Sequence, residues 1–260
     1  MNVAVESSSE AMTSWFPILL YHRVLPTPTA PDPYRNCIST AAFRSHLRWL
    51  QAHGYSSLPL TAGAVGPSLR RHGKHVAITF DDGYEDNYVH AWPVLKEFGF
   101  TASIFVVTNI IGGMNDFDAG LGGAPARMLR PEQICELHAH GFGIGSHSCS
   151  HPPSLTELGD TTLREELVRS RTVLEDLIQA PVNTFSYPRS RVDRRIEAAV
   201  KDAGYHLALA GEGSSFSRYR MHRVFAPPGE GNALARQLRL RRLKRLIRVA
   251  LYRGGPAPHD

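Results

Sequence analysis

Short apolar runs alternate with amphipathic segments along most of this chain, and several of the runs close on polar residues. Pro17–Val24 (PILLYHRV), His75–Phe80 (HVAITF), Thr101–Val107 (TASIFVV), Phe142–Gly145, Val182–Tyr187 and Tyr205–Ala210 read as buried strands, with His222–Ala226 as a last one. Between them, Ala42–His53, Asn87–Phe98, Pro131–His140, Thr162–Ile178, Asp193–Ala203 and Ala233–Tyr252 carry helical spacing and stop signals. Ile110–Arg127 is rich in glycine and poor in large apolar residues, so it reads as a long loop of the kind that is usually functional. Strands that alternate with helices imply parallel βαβ units. The choice lies between a closed barrel and an open doubly wound sheet. No GxGxxG or GxxxxGK[ST] follows any strand, so nucleotide binding has no support.

The chain has 260 residues, of which 42% are hydrophobic and 20% charged, enough to fill a core without disulfide or metal staples. Three widely spaced cysteines, Cys37, Cys135 and Cys149, exclude a disulfide framework and a CxxC zinc knot. The first residues carry Glu6 and Glu10 and no basic residue, and Trp15–Leu20 is too short for a secretory core. No run approaches the ~20 apolar residues of a membrane span. The expectation is a soluble cytoplasmic protein, with a disordered leader over 1–14, a body over 15–230 and a basic helix and tail over 231–260.

Position makes the polar residues informative. His22 ends the first strand, Asp81 and Asp82 follow HVAITF, His147 follows FGIGS, and Tyr187-Pro188-Arg189 closes VNTFSY. In (β/α) barrels the site is built at the C-terminal ends of the strands, which would gather these residues in one mouth. Taken alone, Asp81-Asp82-Gly83 is equally a turn with a helix cap. Two adjacent carboxylates at a buried strand end nevertheless repel unless a cation or donors compensate. Strand side chains alternate, so one Asp can reach a metal and the other a substrate. His147 and His151, four apart in HSCSHP, suit one ion. With Asp82 they make three ligands and leave a place for water, a catalytic rather than structural arrangement. Cys149 is expected to pack away. His46, His53, His72, His75, His90, His138 and His140 read as surface or cap residues, and His222 as structural or mouth-lining.

TFDDG (Thr79–Gly83), HSxxHP (His147–Pro152) and FSYP (Phe185–Pro188) together resemble the polysaccharide deacetylases of the NodB-homology type, carbohydrate esterase family 4. LLYHRV (Leu19–Val24) looks like the branch with permuted motif order that includes poly-N-acetylglucosamine deacetylases. The resemblance runs from about Pro17 to Pro227. It implies a distorted (β/α)7 barrel and a divalent metal, most often zinc, with cobalt, nickel or manganese as alternatives. Carried over, Asp81 is the general base, Asp82, His147 and His151 hold the metal, and His22 is the general acid. A backbone N–H near Arg189, after Tyr187 and Pro188, helps hold the oxyanion. The chain departs from the family at three positions. Ser186 stands where many members have an arginine against the catalytic Asp, Ser190 where many have glycine, and Arg189 where an aromatic is common. Arg223, in a segment similar to a late LxR motif, is a candidate to replace that arginine.

The activity implied is hydrolysis of the N-acetyl group of an amino sugar in a glycan or glycan precursor. The competing readings are an O-acetyl esterase or other amidase of the same family, and an inactive glycan-binding protein. The net charge of +5 first suggests nucleic acid or an anionic membrane. Eight basic residues and no acid fall between Arg236 and Arg253, so the rest of the chain carries −3. The basicity therefore belongs to one final helix, and nucleic acid is not the expected partner. Leu240, Leu243, Ile247 and Leu251 form a stripe on it. Either that stripe packs against the body, or residues 234–253 lie on an anionic leaflet.

Overall fold

The computed structural model describes residues 16–252 except 29–31, 33–35, 62–73, 116, 118–124 and 212–216, with backbone alone over 244–252. The expected leader, the tail after 252, His72 and much of the 110–127 loop lie outside the described residues. Among the described residues no helix is long and apolar enough to cross a membrane.

The strands are β1 (Ile18–Tyr21), β2 (Arg23–Leu25), β3 (Cys37–Ser39), β4 (Tyr55–Ser57), β5 (Lys74–Phe80), β6 (Ser103–Val106), β7 (Gly143–Ser146), β8 (Thr184–Ser186), β9 (Leu207–Ala210), β10 (Met221–His222) and β11 (Val224–Phe225). The α-helices are α1 (Thr40–Ala52), α2 (Trp92–Phe98), α3 (Pro131–Ala139), α4 (Asp160–Ile178), α5 (Arg194–Asp202) and α6 (Gly231–Tyr252). Parallel strands run in the order β10-β9-β8-β7-β6-β5-β1-β11. β10 pairs with β9 and β11 with β1, so one segment touches both ends of the sheet. That segment breaks at Arg223. Counted as one, it gives seven strand positions among the described residues, in a nearly closed barrel. The (β/α)7 expectation holds, and an open doubly wound sheet is excluded.

Three differences from the sequence reading have local causes. The first strand is two. Its second half, β2, leaves the barrel after His22 to pair with β3, held by Asp86, which accepts from Arg23 Nε (2.9 Å) and Val24 N (3.0 Å). β4 went unread because three polar-leaning residues carry no apolar period; it pairs with Lys74–Val76 at the start of β5. The helix at Asn87 is wound as a π-turn over Asn87–Ala91 before α2. Pro93 supplies no N–H for the regular i→i−4 bond and crowds the turn before it.

Side-chain parity organises the layers. On β5, Val76, Ile78 and Phe80 join the core under the helices, while Ala77 joins the interior cluster with Ile18, Phe105, Leu207 and Leu209. Ile104 and Val106, Ile144, Phe185, and Ala208 and Ala210 likewise face the helices. The interior is narrow. A Cβ on Gly145 would stand 2.5 Å from the Phe105 ring and 2.7 Å from Thr184 Oγ1, so β7 needs glycine there. Ser39 caps α1 by accepting from Ala42 N, and Asp193 caps α5 by accepting from Ile196 N.

His46, expected at the surface, is fully buried. Its ring bridges Tyr21 Oη (3.0 Å) and the Gly229 carbonyl (2.7 Å), tying α1 to the approach of α6. Burial pushes its pKa down to about 4. α6 packs by Leu234, Ala235 and Leu238. Leu240 and Leu243, which one reading had packed against the body, are each 54% exposed. The buried residues fall in the first two turns, before the helix has run the length of α1.

Candidate metal and catalytic site

The inward parity of each strand carries on to its C-terminal end or just past it. Ala77 and Thr79 lead to Asp81, Gly143 and Gly145 to His147, and Thr184 to Ser186. Ile18 and Leu20 lead in the same way to His22. Asp81, Asp82, His147 and Ser186 are almost wholly enclosed.

Asp82 is on the wrong parity and would face the helix layer. Its φ of 74° and the 84° of Gly83 turn the chain back into the mouth. Both aspartates thus reach the site, through a left-handed turn rather than simple strand alternation. A Cβ on Gly83 would press on Val106 at 3.3 Å, which reinforces the glycine there. Left-handed backbone recurs around the site at Ser148, His151, Arg189 and Ser190, the kind of strain that packed functional sites hold.

One half of the site is an acid–guanidinium network. Arg223, 1% exposed, donates from Nη1 to Asp81 Oδ1 and from Nη2 to Asp81 Oδ2, both at 2.7 Å. Ser186 Oγ donates to Asp81 Oδ2 (3.0 Å) and accepts from Arg223 Nη2 (2.9 Å). Arg223 Nε donates to the Ala210 carbonyl (3.0 Å). Arg223 therefore contacts the Asp81 carboxylate that the family's usual arginine would meet, with Ser186 bridging the two. Burial alone would raise the Asp81 pKa, but the Arg223 charge, then that of His147, outweighs it and holds the group below its ordinary value.

The other half is a triad. Asp82, His147 and His151 present ligand atoms all within 4.8 Å of one another. Asp82 Oδ1 lies 3.3 Å from His147 Nε2 and 3.6 Å from His151 Nε2. Ligands ~2.1 Å from a tetrahedral zinc stand about 3.4 Å apart, so the spacing fits such an ion. His147 Nδ1 donates to the Ser186 carbonyl (2.8 Å), which turns the Nε2 lone pair toward Asp82. Two acceptors then face each other unless a proton or a cation lies between them. Burial depresses the His147 pKa, but the Asp81 charge and the bond to Asp82 overcome it and raise the group. His151 has less carboxylate about it, and burial pushes it down to about 4, toward the neutral ring a metal needs.

The loop between the two histidines is fastened by a residue without a motif. Glu166 on α4 accepts from Cys149 N (2.9 Å), Ser150 N (3.0 Å) and Ser150 Oγ (2.6 Å), and Ser148 Oγ accepts from His151 N (3.0 Å). Phe117 lies against the His151 ring at 4.3 Å between centroids. Cys149 is buried and packed away, as expected.

The His22 ring stacks on Phe225 with centroids 6.5 Å apart. Asn87 Nδ2 donates to the His22 carbonyl (2.7 Å), so the YEDN stretch after TFDDG fastens this segment. Tyr187 has outward parity, and it does not line the mouth: its hydroxyl donates to the Tyr219 carbonyl (2.7 Å) and its ring packs on Phe185. Pro188 begins the turn that carries Arg189, whose guanidinium donates to the Phe117 carbonyl at 3.5 Å. His222 bonds the Gly211 carbonyl through Nδ1 (3.0 Å), outside the triad.

The polysaccharide deacetylase family profile matches residues 69–208. The chain belongs to that family. A Bacillus subtilis protein named for the same family, YxkH, is 30% identical over 241 residues, covering 87% of this deacetylase and 80% of the relative. The poly-beta-1,6-N-acetyl-D-glucosamine N-deacetylase of Staphylococcus aureus is 23% identical over 177 residues, 67% of this chain and 61% of that one. The deacetylase also shares its fold with solved structures. Streptococcus pyogenes PplD gives a TM-score of 0.72 at 22% identity over 85% of this chain and 97% of its own. IcaB from Ammonifex degensii gives 0.69 at 24% over 82% and 92%.

Proposed function

We propose that this deacetylase removes the N-acetyl group of an amino sugar in a glycan, using a divalent metal held by Asp82, His147 and His151. The observation that carries the reading is the triad set beside a carboxylate already ionised by Arg223. Zinc suits two imidazoles and one carboxylate, and cobalt, nickel or manganese can stand in its place. When bound there, such a metal would supply Lewis acidity and lower the pKa of water enough for hydroxide to form at neutral pH.

The chain's own residues do the rest. A carboxylate offers about four lone-pair sites. On Asp81, Oδ1 accepts one bond and Oδ2 two, so Oδ1 keeps a position to take the proton of the attacking water. Arg223 and Ser186 fix that carboxylate in orientation. The backbone N–H of Arg189, after Tyr187 and Pro188, helps hold the tetrahedral oxygen. His22 hands a proton to the amine nitrogen, which leaves poorly until protonated. Acetate and a free amino sugar result.

The test is acetate release from N-acetylhexosamine oligomers, before and after chelation and metal restoration. Activity that chelation abolishes and zinc restores, and that Asp82→Ala and His147→Ala lack, supports the reading. Turnover undiminished in either variant overturns it. Release from O-acetyl substrates alone would assign esterase chemistry to the same site.

A further inference from the structure

The basic helix has a definite place relative to the site. Gly231 N donates to Ser45 Oγ (3.0 Å), and a Cβ on Gly231 would stand 2.8 Å from the Ser45 carbonyl and from Trp49 Cβ. Eight or nine residues later, Arg239 and Leu240 share an open cleft of about 570 Å³ with Trp49 and His53. α6 therefore follows α1 in the same direction, from Ser45 to the end of α1 at His53. The His53 carbonyl accepts from Lys74 Nζ (3.2 Å), and Lys74 begins β5. Asp81 and Asp82 follow the last residue of that same strand. The cleft and the exposed part of α6 thus stand at the end of the barrel opposite the mouth. Beyond Leu240 the helix runs on for roughly 18 Å.

The chemistry of this end is specific. Arg236, Arg239 and Arg242 are exposed, and Lys74 adds a further cation. Leu240 and Leu243 stand among the arginines, each 54% exposed. Along the sequence, Lys244, Arg245 and Arg248 follow on the same helix, and no acid falls between Asn232 and His259. A nucleic-acid surface needs the cations but gains nothing from exposed leucines. A bilayer with anionic headgroups uses both: phosphates pair with the guanidinium groups, and the leucines enter the acyl boundary. Trp49, stacked on His53 at 4.0 Å between centroids beside the cleft, adds an amphipathic ring of the kind favoured at that depth.

We propose that this face, formed by the end of α1 and the exposed part of α6, seats the deacetylase on an anionic phospholipid bilayer. The barrel then stands with its N-terminal strand ends toward the lipid and its catalytic mouth turned away, open to a glycan in solution. The proposal does not depend on which acyl group the site removes.

The test is co-sedimentation of the full chain with phosphatidylglycerol–phosphatidylcholine vesicles and with pure phosphatidylcholine vesicles. Binding is expected to the anionic vesicles and to be at least tenfold weaker to the neutral ones. Raising salt should weaken it severalfold without abolishing it, because part of the attraction is apolar. Leu240→Ser/Leu243→Ser keeps every charge and should lower affinity about tenfold or more. Leu243→Gln, farther from the packed turns, should act in the same direction, with circular dichroism confirming both variants folded. Equal binding to neutral vesicles overturns the proposal. So does wild-type affinity in the serine variant with duplex DNA displacing the vesicles, which would assign the face to nucleic acid. A dimer by light scattering that the serine variant dissociates would assign it to a second copy of the chain.

Discussion

The two halves of the site differ in what the polypeptide completes by itself. Around Asp81, Arg223 and Ser186, each charged group meets an opposite charge or a donor, and Arg223 Nε finds a carbonyl. Around Asp82, His147 and His151, lone pairs face lone pairs when His147 Nδ1–H donates to the Ser186 carbonyl, and buried His151 Nδ1 has no hydrogen-bond partner among the described residues. The first half is a finished network. The second is left for a proton or a cation to complete. Ser186 joins them: its hydroxyl serves Asp81 and its carbonyl serves His147. The Asp81 carboxylate and the His147 ring are thus both positioned from one strand end.

Substitutions can break this contrast. The largest expected effect is Asp82→Ala, which should remove bound metal, by elemental analysis, together with acetate release. If it kept stoichiometric metal, the second half would not be the metal site. Asp81→Asn should lower kcat about 10²–10⁴-fold while metal stays bound, the signature of lost proton acceptance. Arg223→Met leaves Asp81 buried and uncompensated, so a loss of about 3–5 kcal/mol is expected in urea unfolding. A variant as stable as wild type would show the network to be dispensable. Glu166→Leu removes the acceptor under the Cys149 and Ser150 amides and beside the Ser150 hydroxyl. It should weaken metal affinity about 10–100-fold in a competition titration, with the melting curve little changed. The smallest effect sharpens the sign of the electrostatics. The folded-state pKa of Asp81 lies below the unfolded value, so its stabilisation is full above about pH 4 and is lost as pH falls further. The melting-temperature gap between wild type and Asp81→Asn should accordingly narrow in acid.

The polar positions were legible because strand ends are read by period. HVAITF followed by two aspartates, FGIGS followed by histidine, and a second histidine four residues on need no coordinates to suggest a metal beside a base. The same period gives the correct face for Asp81, His147 and Ser186, and applied to VNTFSY it turns Tyr187 outward. Parity alone misplaces Asp82, because a left-handed turn overrides alternation. His46 looked like a surface residue because its helix position is ambiguous; its partner, the Gly229 carbonyl, lies far along the chain.

The sequence by itself determined the alternating architecture, the grouping of Asp81, Asp82, His147 and His151, and the confinement of the net positive charge to the last helix. Each of these is a matter of spacing along the chain, and spacing is what secondary structure converts into direction. The tertiary structure alone decided the rest. It set Arg223 at the seam where one segment pairs with both β9 and β1, aimed into the barrel at Asp81. It brought Glu166 under the histidine loop, and it left Leu240 and Leu243 uncovered at the far end. These contacts join residues far apart in the chain, and no local period records them.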